Sequence, residues 1–181
     1  MTTKRAATRR SILAAAAQIA HETGPGNLSL DAVAAKAGIS KGGLLYHFPS
    51  KKKLLQAVVE NFIASFDEEL TKRKKAKAGR SGALIEAFLE LFIEDHECRK
   101  PPPSGLLAAM ALDPDFLGPV RRYDRALLDR IHETSGDPAT ALVVYLAIQG
   151  MRTMNLLDLD ILTDAEFDEA AARLKEIVAA T

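Results

Sequence analysis

Apolar residues recur at helical spacing along almost the whole chain. Ile12, Ala15, Ala16, Ile19 and Ala20 fall at i, i+3, i+4, i+7 and i+8, one stripe of an amphipathic helix, which predicts a helix over residues 7–23. Gly24-Pro25-Gly26 ends it. Ser29 is a good N-cap and Asp31 suits the first turn of a second helix, whose inner face is Leu30, Val33, Ala34 and Ala37. Gly38 supplies the positive φ of a helix stop, and Ser40 caps a third helix running to about Phe48. Helix, short glycine-bearing turn, helix is the pattern of a helix-turn-helix.

A fourth, long helix starts near Ser50, where Leu55, Val58, Val59, Phe62, Ile63, Phe66 and Leu70 keep one apolar stripe. At 1.5 Å per residue, about 25 residues span roughly 38 Å. Gly79 and Gly82 separate it from a helix marked by Leu84, Phe88, Leu91 and Phe92, which stops before Pro101-Pro102-Pro103. A short apolar helix is expected over residues 104–112 and another over 115–134, with Pro119 in its first turn. Residues 139–157 are apolar on most faces, which predicts burial on several sides. A last helix, about 164–179 with Asp164 as its cap, carries the stripe Phe167, Ala171, Leu174 and Val178. Alternating β-branched runs are scarce, so the fold class is all-α: an N-terminal three-helix helix-turn-helix domain, residues 1–53, and a C-terminal helical domain, residues 54–181.

Charge sharpens this division. The chain as a whole is neutral, but residues 1–80 carry 15 basic and 6 acidic side chains, +9, and residues 81–181 carry 9 basic and 18 acidic, −9. One end therefore faces nucleic acid or another acidic surface. Lys72, Arg73, Lys74, Lys75, Lys77 and Arg80 read as a solvated linker run; without the chain beyond residue 53 the N-terminal domain still stands at +7. Lys51, Lys52 and Lys53 at a helix start oppose the macrodipole, where carboxylates are favoured by about 0.3–1 kcal/mol each. Such a cluster suits an external polyanion.

In a helix-turn-helix the second helix enters the major groove and its first residues meet base edges. Those residues are Ser40, Lys41, Gly42 and Gly43, followed by Leu45 and Tyr46. Two glycines in a helix cost about 1 kcal/mol each relative to alanine, and close backbone approach to DNA is what they offer in return. The competing reading, a turn or hairpin at Gly42-Gly43, lacks flanking alternation. Lys41 can reach a guanine edge or a phosphate and Leu45 a thymine methyl. Tyr46, His47 and Lys51 are placed to clamp phosphates, which sets register without reading sequence.

The spacing Thr8-x-x-x-Ile12-Leu13-x-Ala15-Ala16, Glu22-x-Gly24, Ser29-Leu30-x-x-Val33-Ala34-x-x-Ala37-Gly38-Ile39-Ser40-Lys41-Gly42 and Leu45-Tyr46-x-Phe48-x-Ser50-Lys51-x-x-Leu54 resembles the N-terminal domain of the tetracycline-repressor (TetR) family. The resemblance covers about residues 8–55. It implies phosphate contacts from Ser29, Tyr46, His47 and Lys51, with Lys41, Gly42, Gly43 and Leu45 against bases. Lys4, Arg5, Arg9 and Arg10 can extend contact into a flanking groove, although Lys4 and Arg5 also read as a frayed terminus. The family commonly has an aromatic where Ala20 stands, so Phe48 or the fourth helix is expected to fill that volume. Acidic residues are common just after the Lys51 position, where this chain has Lys52 and Lys53.

The resemblance further implies a homodimer held through the last two helices, on a palindromic double-stranded DNA operator whose half-sites lie one turn, about 34–36 Å, apart. It implies repression released by a small-molecule effector in the C-terminal domain, coupled to DNA by about 1–3 kcal/mol. Phe88, Leu91, Phe92, Leu107, Met110, Phe116, Tyr123, Met151 and Met154 are candidate lining residues, each also readable as ordinary core. Their character points to a hydrophobic effector. Gln149 and Arg152 either orient its polar group or face a dimer rim. The alternatives are a DNA-binding regulator with a protein partner or no ligand, and a helical adaptor that does not bind DNA.

No enzyme is expected, since His21, His47, His96 and His132 lie in different segments and form no catalytic motif. Glu94, Asp95, His96, Glu97 and Cys98 cluster, but in a helix His96 points away from the face of Glu94 and Cys98; the cluster reads as a solvated acidic helix end, and no metal or cofactor is expected. With a single cysteine, no apolar run of about 18 residues and no signal core, the expected location is the cytoplasm, with no membrane association.

Overall fold

A computed structural model of the chain describes residues 2–23, 28–77, 79–97, 117–157, 159 and 161–180. Among them every regular element is helical: α1 Thr2–Thr23, α2 Leu30–Lys36, α3 Lys41–His47, α4 Lys51–Ala76, α5 Ala83–Glu97, α6 Leu117–Thr134, α7 Pro138–Leu156 and α8 Asp164–Ala179. The helix expected over 104–112 and the stop at Gly24-Pro25-Gly26 lie outside the described residues. Two compact units emerge, Met1–Ala64 with Pro103–Arg121, and Ser65–Pro102 with Arg122–Thr181.

The first unit packs α1–α3 and the start of α4 around Ile12, Leu13, Ala16, Ile19, Ala20, Val33, Leu44, Phe48, Leu54, Leu55 and Val58. Ala20, Phe48 and the α4 residues Leu54, Leu55 and Val58 are all buried in this one cluster. Ser29 caps α2 by accepting from the Ala32 N–H at 3.1 Å, and Ser40 caps α3 by accepting from the Gly43 N–H at 3.0 Å. Gly38 holds φ +68° between them, a conformation that costs a side-chain-bearing residue about 1 kcal/mol or more. α1 begins well before residue 7. Lys4 and Arg5 are therefore helical rather than frayed; Arg5 lies 5.5 Å from the Tyr46 ring centroid and Arg9 lies 5.2 Å from that of Phe48.

The second unit is built on Leu70, Leu84, Ile85, Phe88, Leu89, Phe92, Leu127, Ile131, Val144, Ile148, Phe167, Leu174 and Val178. Two expectations are corrected here. The cap of α8 is Thr163, one residue before Asp164, in a capping box with Glu166; the Thr163 hydroxyl serves the Glu166 N–H while the Glu166 carboxylate serves the Thr163 N–H. And α7 is not buried all round: Leu142, Val143 and Leu146 are exposed, so one apolar face is left open.

The basic run at the end of α4 is a third correction. Arg73 bonds Glu69 at 3.1 Å and also Glu94, Lys77 bonds Glu86 at 3.0 Å and Glu90 at 2.7 Å, and Arg80 pairs with Glu86 at 3.5 Å. Glu86, Glu90 and Glu94 recur every four residues, one face of α5, so Arg73, Lys77 and Arg80 zip onto that helix, while Lys72 and Lys75 stay exposed as expected of a solvated run. Glu94 is consumed by it, and His96 stacks on Phe167, which disperses the acidic cluster at the end of α5. Cys98 lies outside the described residues.

Candidate functional site

The helix-turn-helix presents one polar, largely exposed surface. Leu44 is the single fully buried anchor of α3, and it turns the opposite face outward. On that face lie Lys41, Gly42, Leu45 and Tyr46, all exposed, with Gly43 and His47 half-buried. The Tyr46 ring is 71% exposed, an uncommon state for so large an aromatic, and it meets His47 edge-on at 5.5 Å between centroids. Lys51 opens α4 directly beyond the Pro49-Ser50 turn, and the Ser50 hydroxyl accepts from the Lys53 N–H at 3.2 Å.

The two glycines are not equivalent. A Cβ at Gly43 would come within 3.3 Å of the Ser40 hydroxyl, so Gly43 is partly explained by the cap itself. At Gly42 a Cβ would meet nothing closer than that same hydroxyl at 4.0 Å. Nothing inside the protein requires a glycine there.

Lys41 is less free than its sequence position implies. Its Nζ lies 2.9 Å from Asp31 Oδ2 on α2, with both side chains more than half exposed. The ion pair orients Lys41 and also places a carboxylate on the face that would meet a polyanion. The sequence carried no signal for this contact, because Asp31 is explained there by the helix dipole alone.

The candidate effector-site residues divide. Phe88, Leu91, Phe92 and Met151 belong to the buried core of the second unit, and Met154 is half-buried. Tyr123 packs against that core and donates its hydroxyl to Asp67 at 3.1 Å. Arg130 donates to the same Asp67 oxygen at 2.7 Å. Burial, reinforced by the Asp67 charge, raises the Tyr123 pKa well above the ordinary phenol value. Leu107, Met110 and Phe116 lie outside the described residues. The Asp67 contacts span 56 and 63 residues of sequence, beyond the reach of any local pattern.

Gln149 donates to the Tyr145 hydroxyl at 2.9 Å and approaches Asp124 at 3.4 Å; Arg152 lies over the Phe66 ring. Gln149 and Arg152 thus both point among aromatic side chains of their own unit. Among the described residues no group of three or more His, Cys, Asp or Glu side chains can hold a metal ion, and no helix is long and apolar enough to cross a membrane.

Comparison with known proteins agrees with both halves of this description. Residues 12–58 match the family of bacterial regulatory proteins of the tetR type, and residues 82–179 match the tetracyclin repressor-like C-terminal domain. An HTH-type transcriptional regulator encoded in the lacX 3' region of Lactococcus lactis subsp. lactis is 25% identical over 131 residues, 70% of this chain and 67% of that protein. The HTH-type transcriptional repressor BepR of Brucella suis biovar 1 (strain 1330) is 32% identical over 96 residues, 50% of this chain and 45% of the repressor. The crystal structure of the multidrug binding protein EbrR complexed with malachite green superposes with a TM-score of 0.68 over 95% of this chain and 96% of that one, at 22% identity, a likeness of fold. Helix-turn-helix and C-terminal domain both carry the family's pattern, and the chain belongs to the TetR family: it is a DNA-binding transcriptional regulator and not an enzyme.

Proposed function

We propose that this regulator is a repressor that binds a palindromic operator as a homodimer in the cytoplasm and is released by a small, largely hydrophobic effector. The outward face of α3 carries the reading: an exposed tyrosine, an exposed leucine and a glycine that the fold itself does not need. Residues 1–53 are assigned to DNA and residues 54–181 to effector and partner. Lys41, Gly42, Gly43 and Leu45 lie against base edges, while Ser29, Tyr46, His47 and Lys51 hold phosphates. Ser40 acts by fixing the start of α3.

The dimer forms through α7 and α8. Leu142, Val143 and Leu146 expose apolar surface on one side of α7, and Gly150 one turn on has open space where a side chain would stand, which lets a second helix approach closely. The effector is bound in the second unit, with Phe88, Leu91, Phe92, Leu107, Met110, Phe116, Tyr123, Met151 and Met154 contributing its apolar lining. The binding of malachite green by a protein of the same fold, and the repressor activity named for BepR, support this reading.

Its test is a fluorescence-anisotropy titration with the DNA upstream of the protein's own gene against scrambled DNA of equal length, at about 150 mM salt, where non-specific attraction is largely screened. Preference for the upstream DNA is expected. Equal binding to both would remove the assignment of that DNA as operator, and no binding even at low salt would remove the assignment of the α3 face.

A further inference from the structure

Three arginines of the second unit stand in different circumstances. Arg73 is held by Glu69 and Glu94, and Arg130 by Asp67. Arg152, on α7, is half-buried with its guanidinium drawn in among aromatic rings, and among the described residues it makes no hydrogen bond and no ion pair. Its guanidinium carbon lies 4.7 Å from the Phe66 ring centroid and 5.7 Å from that of Phe88. Burial depresses its pKa, and the charges of Asp95 and Asp124 act at longer range to support the cation.

A guanidinium is flat, with five N–H donors in its plane and none on its faces. Ring contact satisfies a face; among the described residues it leaves the donor edge without acceptors. Withdrawing a charge from water is costly unless it is paired, so an acceptor brought to that edge by a ligand is favoured. The group that matches this edge is a carboxylate, which accepts two parallel N–H bonds. The surrounding Phe66, Phe88 and Tyr123 suit a flat apolar body attached to it, with Phe66 meeting both other rings edge-on at 6.0 and 6.1 Å.

We propose that Arg152 is the anchor of an organic-anion site in the second unit, and that the effector is a flat, mostly apolar carboxylate. This rests on the effector reading above and gives the hydrophobic ligand a charged head. Asp95 and Asp124 are the carboxylates whose charges bear on Arg152; burial raises the Asp124 pKa, while the Arg152 charge and the Gln149 hydrogen bond lower it.

Two measurements on the full-length protein test this. The first is the thermal midpoint of ligand-free Arg152→Met, which keeps the stem and removes the unpaired charge. A guanidinium kept for a ligand leaves the variant as stable as the wild type or more so; a clear fall in Tm would show that the fold needs the charge and would overturn the proposal. The second is titration with naphthoate and its neutral isostere naphthamide, read by naphthyl emission in a chain that contains no tryptophan.

The wild type should bind naphthoate about tenfold or more tighter than naphthamide, and Arg152→Met should lose the difference. Equal affinities unchanged by the substitution would overturn the anchor while leaving an effector site in place. No binding of naphthoate at millimolar concentration would overturn the carboxylate assignment. Naphthoate bound through Arg152 without any release of operator DNA would uphold the anion site and remove the effector reading beneath it.

Discussion

Lys77 Nζ donates to Glu90 Oε1 at 2.7 Å and to Glu86 Oε1 at 3.0 Å, which ties the end of α4 to a face of α5. The Lys77 side chain is only 19% exposed, and its pKa is raised chiefly by the Glu90 hydrogen bond. Removing it strands Glu90 and leaves Glu86 with Arg80 alone. Lys77→Ala should therefore cost about 1–2 kcal/mol, a Tm loss of roughly 3–6 °C for a chain of this size. Lys75→Ala, at an exposed position of the same basic run, should change stability by less than about 0.5 kcal/mol. Equal effects of the two substitutions in thermal unfolding would return the run to a solvated linker.

Gly42 separates folding from DNA binding. An alanine Cβ there has open space, and alanine favours the helix by up to about 1 kcal/mol, so Gly42→Ala should raise Tm slightly. On the DNA side the same methyl pushes the backbone of α3 away from the groove. We expect operator affinity to fall about tenfold, equivalent to 1.4 kcal/mol. Unfolding curves and operator titrations on one preparation decide it; a variant both more stable and equally tight would leave Gly42 without a role.

Asp31 restrains Lys41 and lends negative charge to a surface that meets phosphates. The ion pair is exposed and so is worth no more than about 1 kcal/mol to folding. Asp31→Asn leaves the Ser29 cap in place and frees the lysine. DNA affinity should rise, for scrambled DNA as well as operator, and the slope of log K against log salt should steepen by about 0.9 for each phosphate newly contacted. An unchanged slope would mean that Lys41 stays at its present position on DNA.

Much of this architecture is legible before any coordinates. The i, i+3, i+4 spacing of Ile12 to Ala20, the serine caps and Gly38 specify α1–α3 because each is a local rule that the packing reinforces. What escapes is pairing across sequence distance. Nothing near Lys77 distinguishes it from Lys75, and only the four-residue recurrence of Glu86, Glu90 and Glu94 thirteen or so residues on hints at the zipper. Arg152 is legible as a polar interruption in an apolar helix, but its lack of a counter-ion is a three-dimensional fact. Sequence alone does not tell which apolar face of α7 packs in its own unit and which, at Leu142, Val143 and Leu146, stays exposed, because the two faces use the same residue types.

Asp137 gives a signal in acid. It caps α7, accepting from the Thr140 hydroxyl at 2.6 Å and the Thr140 N–H at 3.1 Å, and those hydrogen bonds, the hydroxyl first, hold its carboxyl below the ordinary value. A depressed folded-state pKa contributes stability that is present above the unfolded value of about 3.9 and is lost as pH falls through the folded one. Asp137→Asn still caps the helix, so Tm near neutrality should change little. Below about pH 4 the loss of stability should be shallower in the variant than in the wild type. Parallel Tm–pH curves would remove Asp137 from the acid response.

Leu146 tests the assembly. It is 59% exposed and Val143 beside it 63%, on a helix whose neighbouring Gly150 carries no side chain, so the face is apolar, shallow and, among the described residues, without a partner in its own chain. A glutamate at Leu146 sits on an exposed position, and in the proposed dimer it places two carboxylates against each other across a two-fold axis. Leu146→Glu should sediment as a folded monomer at concentrations where the wild type is a dimer, with helical content unchanged by circular dichroism. Operator affinity should then fall by about 10²–10⁴, because one helix-turn-helix can no longer recruit the second to the adjoining half-site. Gly150→Leu should act in the same direction through steric bulk alone, so that charge repulsion and loss of close approach are read separately. A dimer that survives both substitutions would place the interface on another face of the second unit.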